Sequence, residues 1–227
     1  MTMTLEKTVA YALALLCYLA AREVFRISGR HVLALPVFVA VLLVLAVCAA
    51  LGLDATEFAS YTQELRWVMD LAVVGMAVPL HQVCRRLGSS LMPMLLGLLL
   101  ASVLSVTGVL FIGWVLGMPW DITAAVAPKA ATMPVALSLV LGDAIHQALA
   151  VASVFLTGLF GALLTPVVLR RVGVFDERIH AFALGVSAHA IGLVRAQAQH
   201  PAHLDLAVAG MCGNALVTAA LCSMFLF

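Results

Sequence analysis

Charge is scarce in this sequence. Only 10% of its 227 residues are Asp, Glu, Lys or Arg, where an ordinary soluble domain carries about 25%. Twelve basic residues stand against eleven acidic ones, for a net charge of +1. That balance offers no basic surface for nucleic acid and no acidic tail. Paired cysteine spacings are missing as well: Cys17, Cys48, Cys84, Cys212 and Cys222 lie in or beside apolar stretches, as small packing residues do. No nucleophile–base pair, phosphate loop or cofactor fingerprint occurs, so neither catalysis nor a cofactor is expected. His200-x-x-His203 with Asp205 is too thin a pattern, in a proline-containing loop, to read as a metal site.

What is present is apolar length. Hydrophobic residues make up 64% of the chain, and its mean hydropathy is +1.15. There is too little polar surface to coat a water-soluble globule. Residues 32–53, 87–120, 144–169 and 206–227 contain no Asp, Glu, Lys or Arg, and about 20 apolar residues cross a bilayer as a helix. The first apolar run lacks a small-residue cleavage site after it and reads as a retained helix. Helices are predicted near 6–23, 32–53, 65–83, 89–117, 144–169 and 204–227, with two further segments at 121–142 and 178–199. Trp67, Trp114 and Trp120 fall near the proposed ends, where amphipathic rings favour the headgroup region. Short connectors make residues 1–227 a single domain.

Basic residues argue the topology. Arg22, Arg26 and Arg30, then Arg85 and Arg86, then Arg170, Arg171 and Arg178 mark three clusters expected on the cytoplasmic side. Placing the third cluster with the others needs an even number of crossings after Arg86, yet three apolar segments intervene. Segment 121–142, carrying Pro128 and Pro134, therefore reads as a re-entrant hairpin. Segment 178–199, interrupted by His189, Gly192 and Arg195, reads as broken too. An offset of 60 sets Lys129 on His189, and an offset of 57 sets Leu149-Ala150-Val151-Ala152 on Leu206-Ala207-Val208-Ala209. The predicted fold is thus all-α: a polytopic transmembrane protein with two broken or re-entrant elements, arranged as inverted repeats over 121–169 and 178–227. Two full crossings by broken helices are the alternative topology.

Lys129 is the residue least suited to an apolar segment, because a central Lys costs about 2.5–3.5 kcal/mol. Pro128 removes a backbone donor and Pro134 frees the carbonyl of Ala130, so the backbone there must line protein or a water-filled cavity. Snorkelling, or pairing with Asp70 or Asp143, is the other reading. A break at Gly192 would let His189 and Arg195 face the same cavity. Cationic side chains beside helix breaks favour a small carboxylate. Thr132, Thr123, Ser187 and Asn214 are neutral polar candidates for the same chamber, and Gly158, Gly161, Gly210 and Gly213 read as close-packing residues. His189 would allow proton coupling. A sodium site built from two acids is not visible.

These residues carry a family resemblance. Ala127-Pro128-Lys129-Ala130-Ala131-Thr132-Met133-Pro134-Val135-Ala136 and Gly185-Val186-Ser187-Ala188-His189-Ala190-Ile191-Gly192-Leu193-Val194-Arg195-Ala196 resemble the two motifs of the LrgB/CidB family. The likeness extends to Leu35-Pro36 and Val78-Pro79-Leu80. Hydroxyls usual in that family are absent at Ala130, Val186, Ala188 and Leu193, with Ser187 supplying one next door, so the site is drier. The resemblance implies a multi-pass protein of a bacterial cytoplasmic (inner) membrane, in contact with lipid, commonly a homodimer. Two functions follow from it. One is carriage of a small monocarboxylate such as glycolate, glycerate, lactate or pyruvate, with Lys129, Thr132, His189 and Arg195 carried over by position and Ser187 and Asn214 added as polar candidates from the residues themselves. The other is holin/antiholin-like control of murein hydrolase activity and autolysis, with a small LrgA/CidA-like membrane subunit.

Overall fold

The computed structural model describes residues 2–29, 34–75, 77–78, 81, 91–140 and 143–226. Arg30, Cys84, Arg85, Arg86 and the Val78-Pro79-Leu80 ending lie wholly or partly outside them, as does the side chain of Asp70. The described residues are helical and contain no strand. They divide into two compact units, residues 1–71 and 72–227.

In the first unit, α1 (Thr2–Ile27) packs on α2 (Pro36–Leu51). Small side chains permit the approach, since Ala10, Cys17, Ala21 and Cys48 are all buried. Proline opens α2 in its first turn, where no amide hydrogen is needed, and Gly52 closes it at φ 65° in the left-handed conformation glycine adopts without strain. Two short helices follow, α3 (Ala55–Tyr61) and α4 (Leu65–Gly75). Between them Glu64 pairs with Lys7 and accepts from the Tyr11 hydroxyl at 2.5 Å. The amine and the hydroxyl hold the Glu64 carboxyl down at about 2.

The second unit is built on three long helices: α5 (Leu91–Val115), α8 (Ala144–Arg171) and α10 (Leu204–Phe225). At 1.5 Å per residue the 28 residues of α8 extend about 42 Å, ample for a bilayer core of about 30 Å. Asp143 starts α8 by accepting from the amides of Ile145 and His146, both at 3.1 Å.

Between α5 and α8 the chain makes a hairpin. Its first arm is α6 (Trp120–Val126) with a 3₁₀ turn (Ala127–Ala130), and its second arm is α7 (Met133–Leu139). Ala131 and Thr132 are extended, at ψ 174° and 156°, and reverse the direction. Matching positions on the two arms meet: Ala125 clusters with Val140 and with Ala150 of α8, and Asp121 and Asp143 share the ring of His146.

The next segment, α9 (Glu177–Gln199), is long and apolar enough to cross a membrane. It does not run straight. His180 and His200 would stand about 30 Å apart on a continuous helix, yet their rings are 5.6 Å apart. Ala181 clusters with Ala196, and a Cβ at Gly192 would collide with the carbonyl oxygen of Leu184. Residues 177–188 and 190–199 are therefore two arms of a second hairpin, of about 18 and 15 Å, each too short to cross alone. Both interrupted segments are thus hairpins, the geometry of a re-entrant element, and neither is a broken helix with its two halves end to end. The second turn falls on His189, at φ 50° and ψ −134°, and not at Gly192, which is helical. Gly192 serves close approach of the arms instead.

Connectivity opposes the hairpins. The first opens beside Asp143, at the N-terminal end of α8, and the second opens beside Asp176, just past its C-terminal end. Their tips come together midway, where a Cβ at Gly158 would lie 3.2 Å from the carbonyl oxygen of Ala188. In a cysteine-free background, single cysteines replacing Asp121 and Asp143 should react with an impermeant maleimide from one side of the membrane. Cysteines replacing Asp176 and His200 should react from the other. Labelling of Asp176→Cys and His200→Cys from opposite sides would contradict the second hairpin.

Candidate functional site

Unwound tips leave carbonyls without helical partners, and inside a membrane each must find a donor. Asn214 of α10 supplies two. Its amide nitrogen donates to Ala130 O of the first tip at 2.8 Å and to Val186 O of the second at 3.1 Å. Its carbonyl oxygen accepts from Ser102 Oγ of α5 at 2.8 Å, and Thr218 Oγ1 donates to Ser102 at 3.1 Å. Ser102, Asn214 and Thr218 are fully buried, with both amide hydrogens of Asn214 committed. Asn214 is thus a clamp between the hairpins and does not face a ligand, contrary to the sequence expectation.

His189 ties the same tips. Its Nε2 lies 3.2 Å from Lys129 O, and because a carbonyl only accepts, Nε2 carries the hydrogen. Nδ1 is left buried, with no partner among the described residues, and Thr132 Oγ1 is left likewise. These two atoms lie one on each hairpin, at its turn.

Beside the tips is an open groove of about 480 Å³. Lys129 enters it from the first hairpin and Ser187 from the second, while α8 contributes Ser153, Thr157, Gly161, Leu156, Phe160 and Leu164. Ser187 reaches it because Gly161 has no side chain: a Cβ there would collide with the carbonyl oxygen of Ser187. The Lys129 ammonium donates to Ser105 Oγ of α5 at 3.0 Å, which uses one of its three hydrogens. Among the described residues no carboxylate pairs with it. Asp143 is held by His146 instead, at 2.7 Å.

The hydroxyls of the groove are oriented by the backbone. Ser153 donates to Ala150 O at 2.8 Å and Ser187 to Ala183 O at 2.7 Å, while Thr165 lies 2.6 Å from Ser187. With their hydrogens spent locally, Ser153 and Ser187 can only accept further bonds, and Ser187 already takes the Thr165 hydrogen on one lone pair. One cation and several acceptors thus stand against an apolar wall.

Arg195 lies elsewhere. Pro166 lacks the amide hydrogen that would bond Ala162 O one turn earlier in α8, and the Arg195 guanidinium donates to that carbonyl. It also donates to Gln199 Oε1 at 3.3 Å. Arg195 therefore fastens the returning arm of the second hairpin to α8, which corrects its expected place in the chamber. Of the residues expected from the sequence, Lys129 and Ser187 line the groove, and Thr132 and His189 lie at the tips without lining it. Ser105, Ser153 and Thr157 were missed. For Ser153 and Thr157 the signal is a stripe of small and polar residues at spacing four on α8, Ser153, Thr157, Gly161 and Thr165, to which Ser105 on α5 does not belong.

Two hairpins whose tips meet beside Lys129, set among membrane-length helices, define an α-helical multi-pass membrane protein with an open groove at those tips. Residues 14–227 match the LrgB-like family, and the chain belongs to it. A Haemophilus influenzae relative described only as an uncharacterized protein is 25% identical over 165 residues, 72% of this chain and 71% of its own. The plastidal glycolate/glycerate translocator 1 of Arabidopsis thaliana is 28% identical over 127 residues, which cover 56% of this chain and 25% of that protein. No solved structure matches.

Asn214→Asp keeps the clamp's shape but turns its donors into an acceptor facing two carbonyls. It should cost about 2–4 kcal/mol and lower the midpoint of thermal unfolding in detergent. An unchanged midpoint would show that the clamp carries little of the stability.

Proposed function

We propose that this protein is a carrier for a small monocarboxylate. One observation bears most of the weight: the Lys129 ammonium faces the groove at a hairpin tip, and among the described residues no carboxylate is paired to it. An ammonium in such surroundings favours an anion, and a charge-assisted bond to a carboxylate offsets the desolvation of both. A single cation in the groove matches a single carboxylate. Acceptor lone pairs on Ser153 and Ser187 match a hydroxyl donor on the ligand, so a 2-hydroxy acid such as glycolate, glycerate or lactate fits better than pyruvate. Leu156, Phe160 and Leu164 give the groove an apolar side for the rest of the ligand.

Opposed hairpins suit alternating access, each opening the groove to its own side while the other stays shut. On this reading 121–169 and 178–227 are inverted repeats related through the Lys129–His189 contact. A proton taken up on His189 Nδ1 would place a second positive charge near Lys129. A bound carboxylate relieves that repulsion, so proton and anion favour each other's binding and travel together. The plastid relative's printed activity, glycolate/glycerate translocation, supports this class of cargo.

The test is uptake of labelled glycolate, glycerate, lactate and pyruvate into proteoliposomes holding this protein alone. Lys129→Ala should lower uptake of the hydroxy acids about ten- to a hundredfold, the worth of a hydrogen bond to a charged group. An inward proton gradient should stimulate the parent but not His189→Ala. Equal flux in parent and Lys129→Ala would remove the carrier site, and leakage of a large trapped dye would favour the pore-regulating alternative. Success without any added protein would dispense with an LrgA/CidA-like subunit.

A further inference from the structure

The mouth of the first hairpin carries a cluster that the groove does not use. His146, in the first turn of α8, has both ring nitrogens on carboxylates: Nδ1 lies 2.7 Å from Asp143 Oδ1 and Nε2 3.2 Å from Asp121 Oδ2. A carboxylate can only accept, so two such bonds require a hydrogen on each nitrogen. The ring drawn by this geometry is an imidazolium. It joins three pieces of chain, namely the first turn of α6 through Asp121, the end of the second arm through Asp143, and α8 itself.

We propose that His146 is a proton-operated clasp across the mouth of the first hairpin, shut when the ring is doubly protonated and released when it loses a proton.

The two halves of the clasp are unequal, and that sets which one opens. Asp143 Oδ1 also accepts the amides of Ile145 and His146, so Asp143 stays on α8 whatever the ring does. Those contacts, the His146 amide first and its ring next, hold the Asp143 carboxyl below the usual carboxylate range. Nδ1 also makes the shorter ring bond, 2.7 Å to Asp143 against 3.2 Å from Nε2 to Asp121, so the remaining hydrogen stays on Nδ1. Nε2 then presents a lone pair to the Asp121 carboxylate, and acceptor faces acceptor. The first arm loses its tie to α8 while the second keeps its own.

Asp121 and Asp143 are the titratable groups that face the ring. Helix α7, the 116–119 connector and α5 contain none, and Lys129 is turned to Ser105. A cation at a helix N-terminus is unfavourable in itself, so the two carboxylates are what keep the charged ring there.

The opposite mouth is built differently. His200 Nδ1 lies 3.9 Å from Glu177 Oε2, and His180 Nε2 meets Val174 O at 2.8 Å. Neither ring has carboxylates on both nitrogens, so neither geometry requires an imidazolium. Proton dependence of this kind is confined to one face of the membrane, the face away from Arg170 and Arg171.

The test reads the mouth directly and does not depend on transport. In a cysteine-free background, nitroxides are attached at Trp120→Cys on α6 and Ala148→Cys on α8, both exposed. Dipolar broadening is then recorded by continuous-wave EPR between about pH 5 and about pH 9, the range that brackets histidine titration. In the parent the broadening should be strong at low pH and fall away along a one-proton curve. His146→Gln and Asp121→Ala should each show weak broadening at every pH, and agreement of the two guards against a folding defect in either. A parent signal that ignores pH would overturn the clasp, as would a pH response that survives in His146→Gln. Loss of the clasp with carboxylate uptake intact, or the reverse, would separate this inference from the carrier reading.

Discussion

The fold of the second unit depends on how two interrupted helices satisfy their backbone inside a membrane. A turn in that setting exposes carbonyls that water cannot reach, and each unsatisfied group costs several kcal/mol. One side chain answers most of this need. Asn214 takes a carbonyl from each tip, and Ser102 and Thr218 anchor it to α5. The hairpins can therefore stop halfway, face each other, and leave Lys129 in the groove between them. Had α10 offered Leu at 214, the same turns would leave buried acceptors bare.

A similar exchange ties the second hairpin to α8. Pro166 deprives Ala162 O of its helical donor, and Arg195 replaces it from another element. Glycine completes the arrangement by omission: Gly158 and Gly161 let the second tip lie against α8, backbone to backbone. Two deficits in α8, an absent amide hydrogen and absent side chains, thus become the points where a neighbouring hairpin docks.

Much of this architecture was legible in the sequence. Apolar length gave the helices, Pro128 and Pro134 marked the first reversal, and the charge clusters argued that one of the intervening segments must return. The offset that set Lys129 on His189 paired two residues that do meet, through the carbonyl of the first and the ring of the second. What escaped was whatever depends on a distant partner. The second turn was assigned to Gly192 because glycine is the usual residue at a break, yet Gly192 is required for contact between arms and the turn sits on a histidine. Charge, a break at Gly192 and the family motif all point Arg195 into the chamber, and nothing within its own segment reveals that Pro166 has freed a carbonyl. Ser153 and Thr157 are set apart from other helix hydroxyls only by the tips packed beside them.

The turn at His189 has a mechanical consequence. Its backbone occupies a region that L residues seldom enter, at a cost of about 1–3 kcal/mol, and such a conformation persists only when its surroundings enforce it. Here the enforcement includes the ring's own bond to the opposite hairpin. Parting the tips would remove that support and let the loop relax, so the closed junction behaves like a cocked spring whose catch is the side chain of the strained residue itself.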